Sequence, residues 1–218
     1  MKTEAELLAA AQAIEGLSFR QLSARVSHLI PESSLSRKGW VGCAIEAALG
    51  GQANSRPEPD FASLGIELKT LPLKKHGKPA ESTFVSSIAL LTLHQETWQT
   101  SSCFAKLRRV LWVLVEGDRA ISFSERRIGP ALLWSPSVED KRILEQDWSE
   151  LTWLIVSGRI DEVHAGLGEY LQVRPKAADG KALRDVQNAE GQKQKTLPRG
   201  FYLRARFTEK IIQEQLVF

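Results

Sequence analysis

The sequence predicts an α/β chain, a central mixed sheet flanked by helices, and two kinds of signal carry that expectation. Val110-Leu111-Trp112-Val113-Leu114-Val115, stopped by Glu116-Gly117-Asp118, is a continuous apolar run of strand formers. Such a run suits the middle of a sheet covered on both faces. Helix starts recur on either side of it: Thr3 with Glu6, Ser18 with Gln21, and Ser137 with Asp140 each place a capping hydroxyl three residues before a side chain that can bond back. At 218 residues the chain has room for one good core or for two small lobes sharing a cleft.

Taken in order, the first helix follows Thr3 and ends near Gly16, and the second runs from Ser18 to about His28. Pro31 to Ser36 reads as a polar loop, followed by Arg37-Lys38-Gly39-Trp40 and an apolar helix from Val41, closed by Gly50-Gly51. Arg56-Pro57-Glu58-Pro59 disfavours helix and brings the chain in extended. After Gly65 the pattern alternates: Ile66 and Leu68 fall on one side of a strand, Glu67 and Lys69 on the other, which is expected to face solvent. Leu71-Pro72-Leu73 ends that strand and Lys74 to Pro79 forms a basic turn. Thr83 to Leu90 is a second strand signal, and the apolar run at Val110 a third. A long helix spans roughly Val138 to Val156, with Leu144, Trp148, Leu151 and Ile155 at helical spacing. Tyr170 to Val173 reads as a strand, Ala177 to about Asn188 as a helix, and Glu190 to Lys195 as a polar loop. Pro198 to Phe207 alternates apolar and basic residues as a strand bordering a cleft would, and a short helix starts at Thr208.

Composition narrows the function classes. With 43% hydrophobic and 25% charged residues, the chain has the balance of a soluble globular protein, and no apolar run approaches a membrane span. Met1-Lys2-Thr3-Glu4 leads into an amphipathic pattern and does not read as a signal peptide. Cys43 and Cys103 have no metal-like spacing and are expected to be reduced thiols in a cytoplasmic protein. None of the four histidines shares a zinc-like spacing with a cysteine, and no glycine-rich phosphate loop is present. The net charge of +3 is unevenly spread: Leu171 to Phe218 holds 10 Lys and Arg against 5 Asp and Glu. Such a basic quarter is either a solvated face or the footprint of a polyanion.

The chemistry gathers at Pro59-Asp60 and Glu67-Leu68-Lys69. Six residues allow a short bend that returns the chain so that the two carboxylates converge. Paired hard oxygen ligands suit Mg²⁺, with Mn²⁺ as a substitute; Mg²⁺ takes one or two carboxylates and completes its shell with waters and phosphate oxygens. Lys69 would stand beside the attacking water or the charge developing on phosphorus. The pattern describes metal-assisted hydrolysis of a phosphodiester. Glu67 and Lys69 on a solvated strand face are the alternative reading.

These residues resemble the PD-(D/E)xK motif of restriction-endonuclease-like nucleases. With Lys38-Gly39-Trp40-Val41-Gly42, Leu133-Trp134-Ser135-Pro136, Tyr170 to Lys176 and Leu197 to Leu203, the likeness over nearly the whole chain is to the MutH family of mismatch-repair nicking endonucleases. That resemblance implies a restriction-endonuclease-like fold with two lobes around a DNA cleft: 1–136 carrying the metal site and 137–218 reading sequence and methylation. It implies Mg²⁺-dependent nicking, 5′ to the G, of the unmethylated strand at hemimethylated GATC, by a monomer. Asp60 and Glu67 would hold metal, Lys69 would assist the nucleophile, Glu46 would join the acidic site, and Lys106 would support it. Lys38 is implied to lie near the DNA backbone, and Arg174-Pro175-Lys176 to recognise GATC. Tyr202 is implied to sense the N6-methyl group of adenine. MutL, recruited by MutS, is the implied activating partner. A GATC-cleaving restriction enzyme and a DNA-binding module with an eroded site are the competing readings.

Overall fold

The computed structural model describes residues 3–51, 58–176, 183–188 and 190–216. In chain order its elements are α1 (Glu4–Gln12), α2 (Phe19–Val26), α3 (Ser34–Ala48), β1 (Glu67–Leu73), β2 (Thr83–Ser87), α4 (Ser102–Leu107), β3 (Val110–Glu116), β4 (Ile128–Trp134), α5 (Val138–Val156), β5 (Leu171–Pro175), β6 (Arg184–Gln187), β7 (Lys193–Thr196), β8 (Arg199–Leu203) and α6 (Ala205–Gln215). They fall into two compact units. One comprises Met1–Glu81, Arg108–Ser135 and Ile211–Phe218, the other Ser82–Leu107 and Pro136–Lys210.

The first unit is built on a mixed three-stranded sheet of order β1-β3-β4. β1 runs parallel to β3 with Glu67 opposite Val110, and β4 returns antiparallel with Trp134 opposite Val110. Alternation along β3 sends Leu111, Val113 and Val115 into a core made with α1, α2 and α3. Val110, Trp112 and Leu114 point the other way and are also buried, so this strand is covered on both faces as its continuous apolar run requires. Phe19, Trp40 and Phe123 meet edge to face at centroid distances of 5.9, 5.1 and 5.9 Å, locking α2 to α3. Each such pair adds about 1 kcal/mol beyond the area it buries.

The helix starts follow from their caps. Thr3 Oγ1 accepts from Glu6 N, and Ser18 forms a reciprocal box with Gln21. The polar loop expected up to Ser36 is shorter than its composition suggests. Ser33 Oγ accepts from Ser36 N at 3.2 Å, so α3 begins at Ser34 and carries Lys38 on a helix.

In the second unit β8 is central to an antiparallel sheet of order β2-β8-β5. α5 buries Leu144, Trp148, Leu151 and Ile155, the four positions its periodicity marks as core. Burial works against the charge on Asp140 in its first turn. Hydrogen bonds from Lys210 and Ser137 outweigh it and hold the carboxyl below its usual range. Halfway along, the Asp147 carboxylate accepts from the amides of Glu169, Tyr170 and Leu171 at 2.7, 2.6 and 2.8 Å, fixing the start of β5.

Two expectations fail here. Residues 184–188 are not helical: β6 pairs antiparallel with β7, Arg184 opposite Thr196, across the stretch read as helix and loop. Asn188 Oδ1 accepts from Gln192 N at 2.8 Å and Gly191 takes a φ of +76°, which makes a turn where polar composition suggested a loop. Residues 177–182 of the expected helix lie outside the described residues. The last strand ends at Leu203, not Phe207, and α6 starts at Ala205. The alternating arginines beyond it clamp a neighbouring loop: Arg204 donates to the carbonyls of Ala165, Leu167 and Gly168, and Arg206 to that of Glu169.

Candidate active site

A tight turn sets the acidic motif. Phe61 and Ile66 exchange backbone hydrogen bonds of 2.9 and 3.3 Å, and Gly65 adopts a φ of +65° that a side chain would strain. The chain therefore doubles back between Asp60 and Glu67. Asp60 Oδ2 accepts from the amide of Leu68 at 2.9 Å, which puts its carboxylate on the peptide that directly follows Glu67. Glu67 Oε1 accepts from Lys69 Nζ at 2.6 Å. Ile66 and Leu68, on the opposite face of the strand, enter the helix-covered core.

The solvated face expected for Glu67 and Lys69 is a buried one. They are 3% and 9% exposed, and Leu71, which continues that face along β1, is 1% exposed. Desolvating a carboxylate and an ammonium costs several kcal/mol per ion, and their attraction recovers it only at close range with further hydrogen bonds. A fold that retains such a pair at the mouth of a strand is a functional-site candidate on physical grounds.

Glu46 projects from the last full turns of α3 and is also buried. It folds back against Gly51, whose amide donates to the Glu46 carbonyl at 2.9 Å. A Cβ at Gly51 would lie 2.6 Å from Glu46 Cγ and 3.2 Å from Oε1, so the absence of a side chain there makes room for this carboxylate. Among the described residues no group of three or more His, Cys, Asp or Glu is placed to hold a metal ion. Asp60 and Glu67 together still offer the one or two carboxylates that Mg²⁺ uses when phosphate and water fill its remaining positions, so the donor set fits that ion.

In the second unit, one face of the β2-β8-β5 sheet gathers the recognition candidates. Tyr202 on β8 lies opposite Gln172 on β5 and opposite Phe84 on β2. Its ring meets Phe84 edge-on at 5.3 Å, and the exposed Arg174 guanidinium sits 5.8 Å from its centroid. Lys176 donates to Ser87 Oγ at 2.7 Å and lies 4.4 Å from the Phe84 centroid, where desolvation draws its ammonium below the usual lysine range. Pro175 ends β5 opposite Arg199 and is exposed. Gly200 permits the arrangement: a Cβ there would lie 2.9 Å from the Phe84 ring.

Phe84 is the member of this cluster that sequence reasoning missed. The available signal was an aromatic in a strand run one position from the fully buried Val85, but pairing with Tyr202 requires the strand register. Lys106 lies half-buried in the last turn of α4, within the second unit. Lys38 lies in the first half of α3; its side chain is outside the described residues.

A mixed sheet whose first strand opens on a carboxylate two residues from a lysine, with a second carboxylate turned back onto that strand, defines a restriction-endonuclease-like α/β protein. The model of the family described as DNA mismatch repair enzyme MutH matches residues 49–147. The DNA mismatch repair protein MutH of Vibrio campbellii is 50% identical over 216 residues, covering 99% of this chain and 96% of that protein. Its counterpart in Vibrio parahaemolyticus is 47% identical with the same coverage, and that of Escherichia coli K12 is 47% identical over 97% of this chain and 92% of its own length. The chain belongs to the MutH family of DNA mismatch repair enzymes. No helix among the described residues is long and apolar enough to cross a membrane.

Proposed function

We propose that the chain is a metal-dependent endonuclease that nicks the unmethylated strand 5′ to the G of hemimethylated GATC and is switched on by MutL. The observation that carries the chemistry is the buried Glu67–Lys69 contact of 2.6 Å, with the Asp60 carboxylate on the adjoining amide. Asp60 and Glu67 would hold Mg²⁺, or Mn²⁺ in its place. When bound, the ion neutralises charge on the phosphate and promotes loss of a proton from water.

The chain's own groups account for the remaining requirements. The hydrogen bond from the Leu68 amide fixes the Asp60 carboxylate, which is preorganisation supplied by backbone. The Lys69 ammonium, held by Glu67, stands ready to orient the attacking water or to meet the charge that develops on the phosphate oxygens. The water oxygen bonds to phosphorus, one ester P–O bond breaks, and the departing oxygen takes up a proton. Glu46 adds negative charge to the acidic site, and the supporting role of Lys106 is carried over from the family alone. A single set of these groups suits one strand, hence a nick by a monomer.

Recognition falls to the other unit. Arg174 offers the planar fork that bidentate contact with guanine uses, Pro175 stiffens the strand end, and Lys176 reaches phosphate or base acceptors. The Tyr202 ring, braced by Phe84, packs on adenine N6 and discriminates its methyl group; Lys38, in the first unit, contacts the DNA backbone. Activation by MutL, acting downstream of MutS, and a cytoplasmic setting come from the family reading.

The deciding experiment is strand-resolved cleavage of a short duplex with one GATC site, unmethylated, hemimethylated or fully methylated, with and without Mg²⁺ and MutL. Cleavage confined to unmethylated strands and lost in Asp60→Ala supports the proposal. Double-strand cuts mean a restriction enzyme, and binding without cleavage under every condition means an eroded site.

A further inference from the structure

Two adjacent arginines precede β3, and the structure separates them. Arg109 is committed within the protein: its guanidinium donates to Glu4 Oε1 and Oε2 at 3.1 and 2.7 Å and to Ser135 Oγ at 3.1 Å. Arg108 makes no hydrogen bond or ion pair with any of the described residues, and it is exposed. Its guanidinium nonetheless has a defined place. It lies across Gly65, where a Cβ would come within 2.7 Å of one terminal nitrogen and 3.5 Å of Cζ.

That place matters because of the parallel pairing. Glu67 stands opposite Val110, and its amide donates to the Arg109 carbonyl at 3.1 Å. Two residues upstream on each strand are Gly65 and Arg108. The guanidinium therefore covers the turn that returns Asp60 to Glu67, at the same strand end as those two carboxylates. A cation that has no partner among the described residues, lies over a bare glycine and is carried on the rigid entry to a central strand is placed for an anion from outside.

We propose that Arg108 contacts a DNA backbone phosphate at the active-site turn, fixing the strand to be cut, and that Gly65 is glycine partly to admit that guanidinium. The proposal deepens the endonuclease reading of this site and rests on it for the identity of the anion. Arginine suits the task because its planar fork grips two phosphate oxygens and keeps its charge at any working pH.

The test is fluorescence anisotropy of a labelled GATC duplex between about 50 and about 200 mM NaCl, in EDTA so that nothing turns over. Loss of one phosphate contact lowers the slope of log K against log salt by about one unit. Arg108→Gln should show that drop and bind several-fold more weakly, with unchanged thermal melting because no partner among the described residues is lost. Arg108→Lys should retain the slope while binding less tightly, since charge stays and the fork is lost. Arg109→Gln should keep the wild-type slope.

A wild-type slope in Arg108→Gln overturns the proposal, as does an equal drop in Arg109→Gln, which would mean general loss of positive field. The nuclease reading fails separately. Wild-type protein that binds the duplex with this slope pattern but never nicks it with Mg²⁺ and MutL would keep the Arg108 contact and remove the catalytic role.

Discussion

At the scale of single residues, the site depends on atoms that are missing as much as on those present. Gly51 is required by Glu46, since the Cβ of any other residue would come within 2.6 Å of Glu46 Cγ. A contact that short cannot be relieved by small adjustments, so Gly51→Ala must swing the Glu46 side chain or shift the end of α3. If Glu46 belongs to the acidic site, a displacement near 1 Å costs on the order of 10²-fold in nicking rate. Duplex affinity in EDTA should stay at the wild-type value, because Gly51 carries no group that meets DNA. Normal nicking by a folded Gly51→Ala protein would remove Glu46 from the chemistry. The sequence marked Asp60, Glu67 and Lys69 as candidates through their spacing taken together with the family resemblance, and the turn between them was foreseeable from Gly65. The burial of Glu67 and Lys69 was not foreseeable. Alternation tells which residues share a face, but whether that face meets water depends on what lies beyond it, and residues 66–73 carry no information about that.

Among the elements, those announced by a cap or an uninterrupted pattern were readable, and those defined by a distant partner were not. Ser137 and Asp140 give the start of α5, and its buried positions follow at helical spacing. β4 has no counterpart among the sequence expectations, and Gly129 and Pro130 inside it weaken its strand signal. Pro130 is tolerated because β4 is at the edge of the β1-β3-β4 order, a fact of topology and not of local sequence. The register of β5 is likewise set from outside, by the Asp147 carboxylate on α5 accepting three successive amides. Gly168 completes that joint: its φ is +81°, and a Cβ there would lie 2.1 Å from the Leu171 carbonyl oxygen. Asp147→Ala leaves those amides without their acceptor, and at least one charged hydrogen-bond set worth about 3 kcal/mol is lost. The melting temperature should fall by roughly 6–12 °C for a chain of this size. Asp147→Asn, which keeps one carbonyl acceptor, should lose less; equal losses in the two variants would show that the carboxylate's charge, not its geometry, holds the loop.

Across the whole molecule, the candidate residues divide between two units that the chain enters more than once. Asp60, Glu67, Lys69 and Glu46 belong to one, and Arg174, Lys176, Tyr202 and Phe84 to the other, while of the remaining candidates Lys38 falls in the first and Lys106 in the second. If chemistry and reading are separated in this way, substitutions in the two units should fail in different measurements. Asp60→Ala should abolish nicking and leave the affinity for GATC duplex in EDTA, and its salt slope, at wild-type values. Lys176→Ala should weaken binding and lower the slope by about one unit if its contact is to phosphate. Its nicking rate should return toward wild type once the duplex is saturating, because its loss is in binding and not in the chemical step. Combining the two should give the binding defect of Lys176→Ala and the chemical defect of Asp60→Ala with no further penalty, as expected when the two losses are independent. A Lys176→Ala protein that stays slow at saturating duplex would mean that reading by the β2-β8-β5 sheet is coupled to assembly of the catalytic groups, and sequence recognition would then act on the rate of the cut as well as on its place.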